Sequence, residues 1–83
     1  MKVTLRFFSS LREQLGFGVL EHETQVNTLA LLREELIQSS PAFSQALLTG
    51  KAIRMALNQE ICDDSALLTD GCEVAFFPPV TGG

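Results

Sequence analysis

The chain has 83 residues, with six Lys plus Arg against ten Asp plus Glu and a net charge of −4. With 46% apolar and 19% charged residues it is too apolar for a disordered chain, and its length limits it to one small domain with little room for a deep pocket. An acidic balance without a basic cluster disfavours nucleic acid, and no apolar run approaches the ~20 residues that span a bilayer, so a soluble, cytoplasmic protein with no leader is expected.

Met1 to Phe8 alternates, with Val3, Leu5 and Phe7 on one parity and Lys2, Thr4 and Arg6 on the other, the period of a half-buried strand. Ser10 and Glu13 have the spacing of a capping box for a short helical turn over Leu11 to Leu15, ended by Gly16. Phe17 to Glu23 reads as a second, weaker strand. Asn27 or Thr28 can cap a helix from Leu29, whose apolar stripe is Leu29, Leu32 and Leu36, with Arg33, Glu34 and Glu35 on the wet side. Ser39-Ser40-Pro41 stops that helix, and Pro41 can open a second one through Leu48, closed by Gly50. Ile53, Met55 and Leu57 alternate in a further strand, followed by a turn at Asn58-Gln59-Glu60. Thr69-Asp70-Gly71 is another turn, in which Asp bonds forward to the backbone and Gly accepts positive φ. Cys72 to Phe77 is the last strand, ended by Pro78-Pro79. The order argues for an α+β fold, a sheet with one face covered by the main helix. Residues 1–77 form the domain and residues 78–83 an extended tail.

A search for internal chemistry finds little. Cys62 and Cys72 are too few for a structural zinc or an iron–sulfur cluster, so no metal site is expected. Two free thiols are the expected state and a Cys62–Cys72 disulfide the alternative. His22, with no identifiable partner, reads as an exposed strand residue rather than a base. Asp63-Asp64 reads as a solvated turn, and Gly16 and Gly18 as turn residues.

The end of the chain is different. Pro78-Pro79-Val80-Thr81-Gly82-Gly83 follows directly on an apolar strand. With glycine at about 7% of average composition, two at the end arise by chance in roughly 0.5% of chains. Proline stiffens the exit from the sheet, Val80 and Thr81 favour an extended path, and the glycines remove side-chain bulk. Fully extended, the tail reaches about 20 Å beyond Phe77. Such a thin probe on a rigid base suits entry into another protein's narrow channel, where it presents the terminal carboxylate. That group is ionised and resists nucleophiles at neutral pH, so it becomes an acyl donor only once activated, commonly by adenylation with ATP. Sulfide or a persulfide then converts it to a thiocarboxylate, or an amine takes it as an amide. The alternative is a loose terminus that does no chemistry.

The block from Leu68 to Gly83, Leu-Thr-Asp-Gly-Cys-Glu-Val-Ala-Phe-Phe-Pro-Pro-Val-Thr-Gly-Gly, resembles the C-terminus of the small subunits of molybdopterin synthase, sulfur carriers of the ubiquitin-like family. Leu11-Arg12-Glu13 after the first strand and Ala56-Leu57-Asn58-Gln59 resemble that family's corresponding segments, whereas Phe17 to Lys51 is less diagnostic. The resemblance implies a β-grasp fold, a mixed sheet packed on one main helix. It implies that the Gly83 carboxylate is adenylated by an enzyme similar to those that activate ubiquitin, with ATP used there and no cofactor held by this chain, and is then thiocarboxylated. It further implies that Pro79, Val80, Thr81 and Gly82 insert into a large subunit. There sulfur passes to cyclic pyranopterin monophosphate to form the dithiolene of molybdopterin, in two transfers per product. The family complex is a heterotetramer, and the small subunit carries no catalytic site of its own.

Strand parity bears on docking. If Val3, Leu5 and Phe7 face the core, Phe8 faces outward, and if Val74 and Phe76 face the core, Phe77 likewise points outward. Phe8 and Phe77, joined by Ile61, would then form an exposed apolar patch at the tail's root, suited to a partner. Three readings compete with a molybdopterin synthase subunit: another β-grasp sulfur carrier of the thiamine or tRNA-thiolation type, a plain interaction module, and a modifier forming amide bonds.

Overall fold

The computed structural model describes residues 1–48 and 52–79. In chain order its elements are β1 (Lys2–Phe7), α1 (Ser9–Leu15), β2 (Val19–Glu23), α2 (Leu29–Ser39), α3 (Pro41–Leu47), β3 (Arg54–Leu57), β4 (Glu60–Cys62) and β5 (Glu73–Phe77). The strands form one sheet in the order β2-β1-β5-β3-β4. β1 and β5 run parallel and the other pairs antiparallel, so the strand nearest the C-terminus occupies the centre of the sheet. This is the mixed, helix-covered sheet of the β-grasp fold.

Each element follows from local chemistry. The alternation of β1 is realised as expected: Val3, Leu5 and Phe7 are buried and Thr4 and Arg6 are not. Thr28 caps α2, its Oγ1 accepting from the Leu31 N–H at 3.2 Å, and Leu29, Leu32 and Leu36 are its buried stripe. Ser40 caps α3, accepting from the Phe43 N–H at 3.2 Å, with Pro41 at the first helical position. At the other end of α3, Arg33 reaches across from α2 and donates to the carbonyls of Leu47 and Leu48 at 2.8 and 2.6 Å, satisfying acceptors the helix itself cannot. Gly50, the expected end of that segment, lies outside the described residues.

Four expectations change. The Ser10–Glu13 capping box does not form, because α1 starts two residues early with Phe8 as its N-cap and no side-chain cap. Phe8 is held extended by donating its N–H to the Phe76 carbonyl at 3.2 Å, which fixes where the strand ends and the helix begins. Asp70 does not bond forward; its Oδ1 accepts from the Lys2 N–H at 2.8 Å, tying the turn before β5 to the start of β1. Glu60 belongs to a short strand, β4, rather than to the turn. Finally, His22 has a partner. Its Nε2 lies 3.1 Å from Glu35 Oε2, which also accepts from Thr24 Oγ1 at 2.6 Å. These contacts fasten α2 to the edge strand β2, and the ring is half-buried rather than exposed.

Two predictions follow from these local arrangements. Asn58 and Gln59 form the two-residue connection of the β3–β4 hairpin with φ of 49° and 71°. Both lie in the left-handed region that favours glycine at the second position. Gln59→Gly is expected to stabilise the fold by about 1 kcal/mol, raising Tm by about 4–8 °C in thermal denaturation. At Glu35, burial pushes the carboxyl up, but hydrogen bonds from Thr24 and His22 outweigh it and the pKa is lowered below 4.5. A lowered folded-state pKa gives stability that is complete above the unfolded value and lost as pH falls through the folded one. Glu35→Gln is therefore expected to lower Tm at neutral pH and to flatten the decline of Tm below about pH 5.

Candidate functional site

The site is built at the end of the central strand. The parallel register pairs Phe7 of β1 with Phe76 of β5. On the inner face their rings stack with centroids 5.4 Å apart and an interplanar angle of 10°. Phe43 and Phe17 close around Phe7 at 5.7 and 5.8 Å. One residue further along, on the outer face, Phe8 and Phe77 stack in the same way, with centroids 4.7 Å apart and 9° between planes. The sheet is thus clamped by aromatic pairs on both faces where the chain leaves it. Pro78 is half-buried and Pro79 exposed, and neither has an N–H to extend the ladder. Pro78 and Pro79 are the tail residues the structure describes; Val80, Thr81, Gly82 and Gly83 lie outside the described residues.

Phe8 and Phe77 share the outer face as parity requires, but each shields the other, so both are half-buried rather than fully exposed. Ile61 lies on the same face at 63% exposure, opposite Ala56 in the β3–β4 register. One cross-strand row runs Val19, Arg6, Ala75, Ala56, Ile61, and the next, at the tail's root, places Arg54 opposite Phe77. The helices cover the other face. Sequence reading passed over Arg6, Ala56, Ala75 and Val19, although the same parity that turns Phe8 outward turns Arg6 outward.

The cysteines and Asp63 are shaped by their immediate surroundings. Burial pushes the Cys62 thiol up, away from the reactive thiolate. Both cysteines are free, Cys72 buried and Cys62 half-buried. Asp63 accepts from both the backbone N–H and the hydroxyl of Ser65, which holds its carboxyl low and makes a solvated turn. Among the described residues no group of three or more His, Cys, Asp and Glu could hold a metal ion. No helix among them is long and apolar enough to cross a membrane. What this arrangement offers is a rigid, apolar-faced base for the segment that follows Pro79.

The model of the ThiS family matches residues 5–83. The chain is 40% identical over 81 residues to the molybdopterin synthase sulfur carrier subunit of Escherichia coli K12, covering 98% of this chain and 99% of that protein. It is 38% identical over 77 residues to the protein of the same name in Haemophilus influenzae, covering 93% and 94%. Among solved structures it superposes on a chain of the complex of subunits 1 and 2 of molybdopterin-converting factor from Helicobacter pylori, with TM-score 0.68, 30% identity and full coverage of both chains. It shares its fold with the SAMP1 protein of Haloferax volcanii, at TM-score 0.80 and 23% identity over the whole of both chains. The chain belongs to the ThiS family.

Proposed function

We propose that this chain is the sulfur-carrier subunit of molybdopterin synthase, and that its reagent is the Gly83 carboxyl. The observation that carries the reading is the central position of β5: the last strand exits beside the Phe8–Phe77 stack, so a protein docked on that face receives the tail as well. Two relatives of nearly the same length bear the name of this subunit, and a structural relative at 30% identity occurs in a complex of two subunits of the corresponding factor.

The steps follow from the chemistry of a carboxylate. A carboxylate oxygen attacks the α-phosphate of ATP on an activating enzyme and expels pyrophosphate. Sulfide then displaces AMP and leaves a thiocarboxylate; a persulfide displaces AMP to give an acyl disulfide, which a thiol cleaves to the thiocarboxylate and a disulfide. In the large subunit that sulfur attacks cyclic pyranopterin monophosphate and displaces an oxygen substituent, water cleaves the resulting thioester and returns the Gly83 carboxylate, and two such deliveries build one dithiolene. The described part of this chain supplies a base and a docking face; the groups that bind the pterin belong to the large subunit, in a complex with two copies of each, in the cytoplasm. ATP is consumed by the activating enzyme, and this chain holds no cofactor.

Incubation with the activating enzyme, ATP and a sulfur source is expected to replace one terminal oxygen by sulfur, read in the intact mass. Deletion of Gly83 should abolish transfer while the protein still folds and still binds the large subunit. An unchanged mass in the complete reaction would overturn the reading. Phe77→Asp is expected to weaken binding to the large subunit by about tenfold or more while leaving the thermal transition intact, because a buried charge replaces half of an aromatic anchor. Unfolding of that variant would place the ring in the core instead.

A further inference from the structure

The docking face is not purely apolar, and its polar component points to the chemistry of what covers it. Arg6 stands in the middle of the outer face, opposite Ala75 and one row from the Phe8–Phe77 stack. Its Cζ lies 5.6 Å from the Phe8 ring centroid, and its Nη1 lies 3.7 Å from Glu73 Oε2. Its Nε is buried and has no acceptor among the described residues, although the side chain as a whole is 42% exposed. The side chain therefore lies along the sheet rather than standing off it. Ala75 and Ala56 beside it are buried on a face that no helix covers, at 4% and 2% exposure, so neighbouring side chains shield them.

A guanidinium held flat in this way has lost solvent from one edge without gaining a good partner. The contact with Glu73 is long and partly exposed, the kind of ion pair that contributes little. The guanidinium nevertheless lies beside an aromatic anchor with part of its surface open, where it can donate to a carboxylate. The charge pattern agrees. In a chain of net charge −4, the two cross-strand rows nearest the tail carry Arg6 and Arg54 and no acid. The nearest acids on the β4 flank, Asp63 and Asp64, lie in the loop beyond that strand and share a hollow with Arg54.

We infer that Arg6 is a specificity-determining residue of the docking face, and that the protein surface seated on Phe8 and Phe77 presents a carboxylate side chain to its guanidinium. This rests on the proposed docking of a partner subunit and adds to it the partner's chemistry: an apolar contact for the stacked rings with an acidic residue one strand-row away.

The test measures binding of the full-length chain to the purified large subunit of molybdopterin synthase by calorimetry at low and at high sodium chloride. The variants are Arg6→Gln, Arg6→Glu, Lys2→Gln and Phe8→Ala, each checked for an unchanged thermal transition. Arg6→Gln is expected to weaken binding about tenfold or more and to reduce its salt dependence, with Arg6→Glu weaker still. Lys2→Gln removes the same charge at the far end of the same strand, where Lys2 sits 3.6 Å from Glu21, and should change affinity by less than about twofold. Phe8→Ala should weaken binding without altering the salt dependence. If Phe8→Ala weakens binding while Arg6→Gln behaves like Lys2→Gln, Arg6 is only a stem that covers Ala75 and the inference falls alone. If neither Phe8→Ala nor Arg6→Gln matters, or the unmodified chain does not bind, the docking reading falls with it.

Discussion

The parallel pairing of β1 with β5 is the constraint on which the rest of the molecule depends. It brings the two ends of the chain together in the middle of the sheet, with register Leu5 to Val74 and Phe7 to Phe76. A slip of one residue would turn every side chain of β5 to the opposite face. The two Phe-Phe doublets oppose such a slip by placing one ring on each side. Phe7 and Phe76 stack inside and Phe8 and Phe77 outside, so the same four residues fix the register, complete the core and build the proposed docking surface. Burying either inner ring, Phe7 or Phe76, contributes on the order of 1.5–3 kcal/mol. Any change to the inner pair is therefore felt by the outer one, through a backbone that cannot shift without losing both.

That arrangement bears on the proposed use of the tail. A terminal carboxyl is useful in a narrow channel only if the segment carrying it starts from a fixed point. A central strand, hydrogen-bonded on both sides, gives a firmer starting point than an edge strand would. The polar residues capable of reactivity are spent on holding this frame. Glu35, His22 and Thr24 tie the main helix to the edge strand, Asp70 ties the turn before β5 to Lys2, and Asn58 Oδ1 accepts from the Glu73 N–H at 2.9 Å. All three sets of contacts join elements distant in sequence, and two of them position the two ends of the central pair.

What could be read directly from the residues was whatever depends on neighbours in sequence. Period-2 alternation placed Val3, Leu5 and Phe7 inside and Phe8 outside, and the Thr28 and Ser40 caps with Pro41 marked the boundaries of two helices. The features that were missed depend on residues far apart. β4 has three residues, too few to show a period, and exists because β3 offers an edge. His22 finds Glu35 thirteen residues away, on a helix whose docking angle no local pattern encodes. The capping box at Ser10 failed because Phe8 had already been captured by Phe76, 68 residues on. Parity turned Arg6 outward along with Phe8, yet its flat posture, set by Phe8, Glu73 and the small side chain of Ala75, needed the assembled sheet.

The charge of the docking face has a consequence for the free protein as well. An apolar patch on a small acidic domain invites self-association, and the usual safeguard is net charge spread over the whole surface. Here a local safeguard is added. Two copies meeting through this face by a two-fold axis would bring Arg6 and Arg54 of one into an interface holding the same two residues of the other, with Glu73, in the next row, as the acid beside Arg6 in each copy. A partner of opposite charge meets no such penalty. On the proposed docking face the arginines would therefore disfavour pairing of like with like relative to a surface of opposite charge.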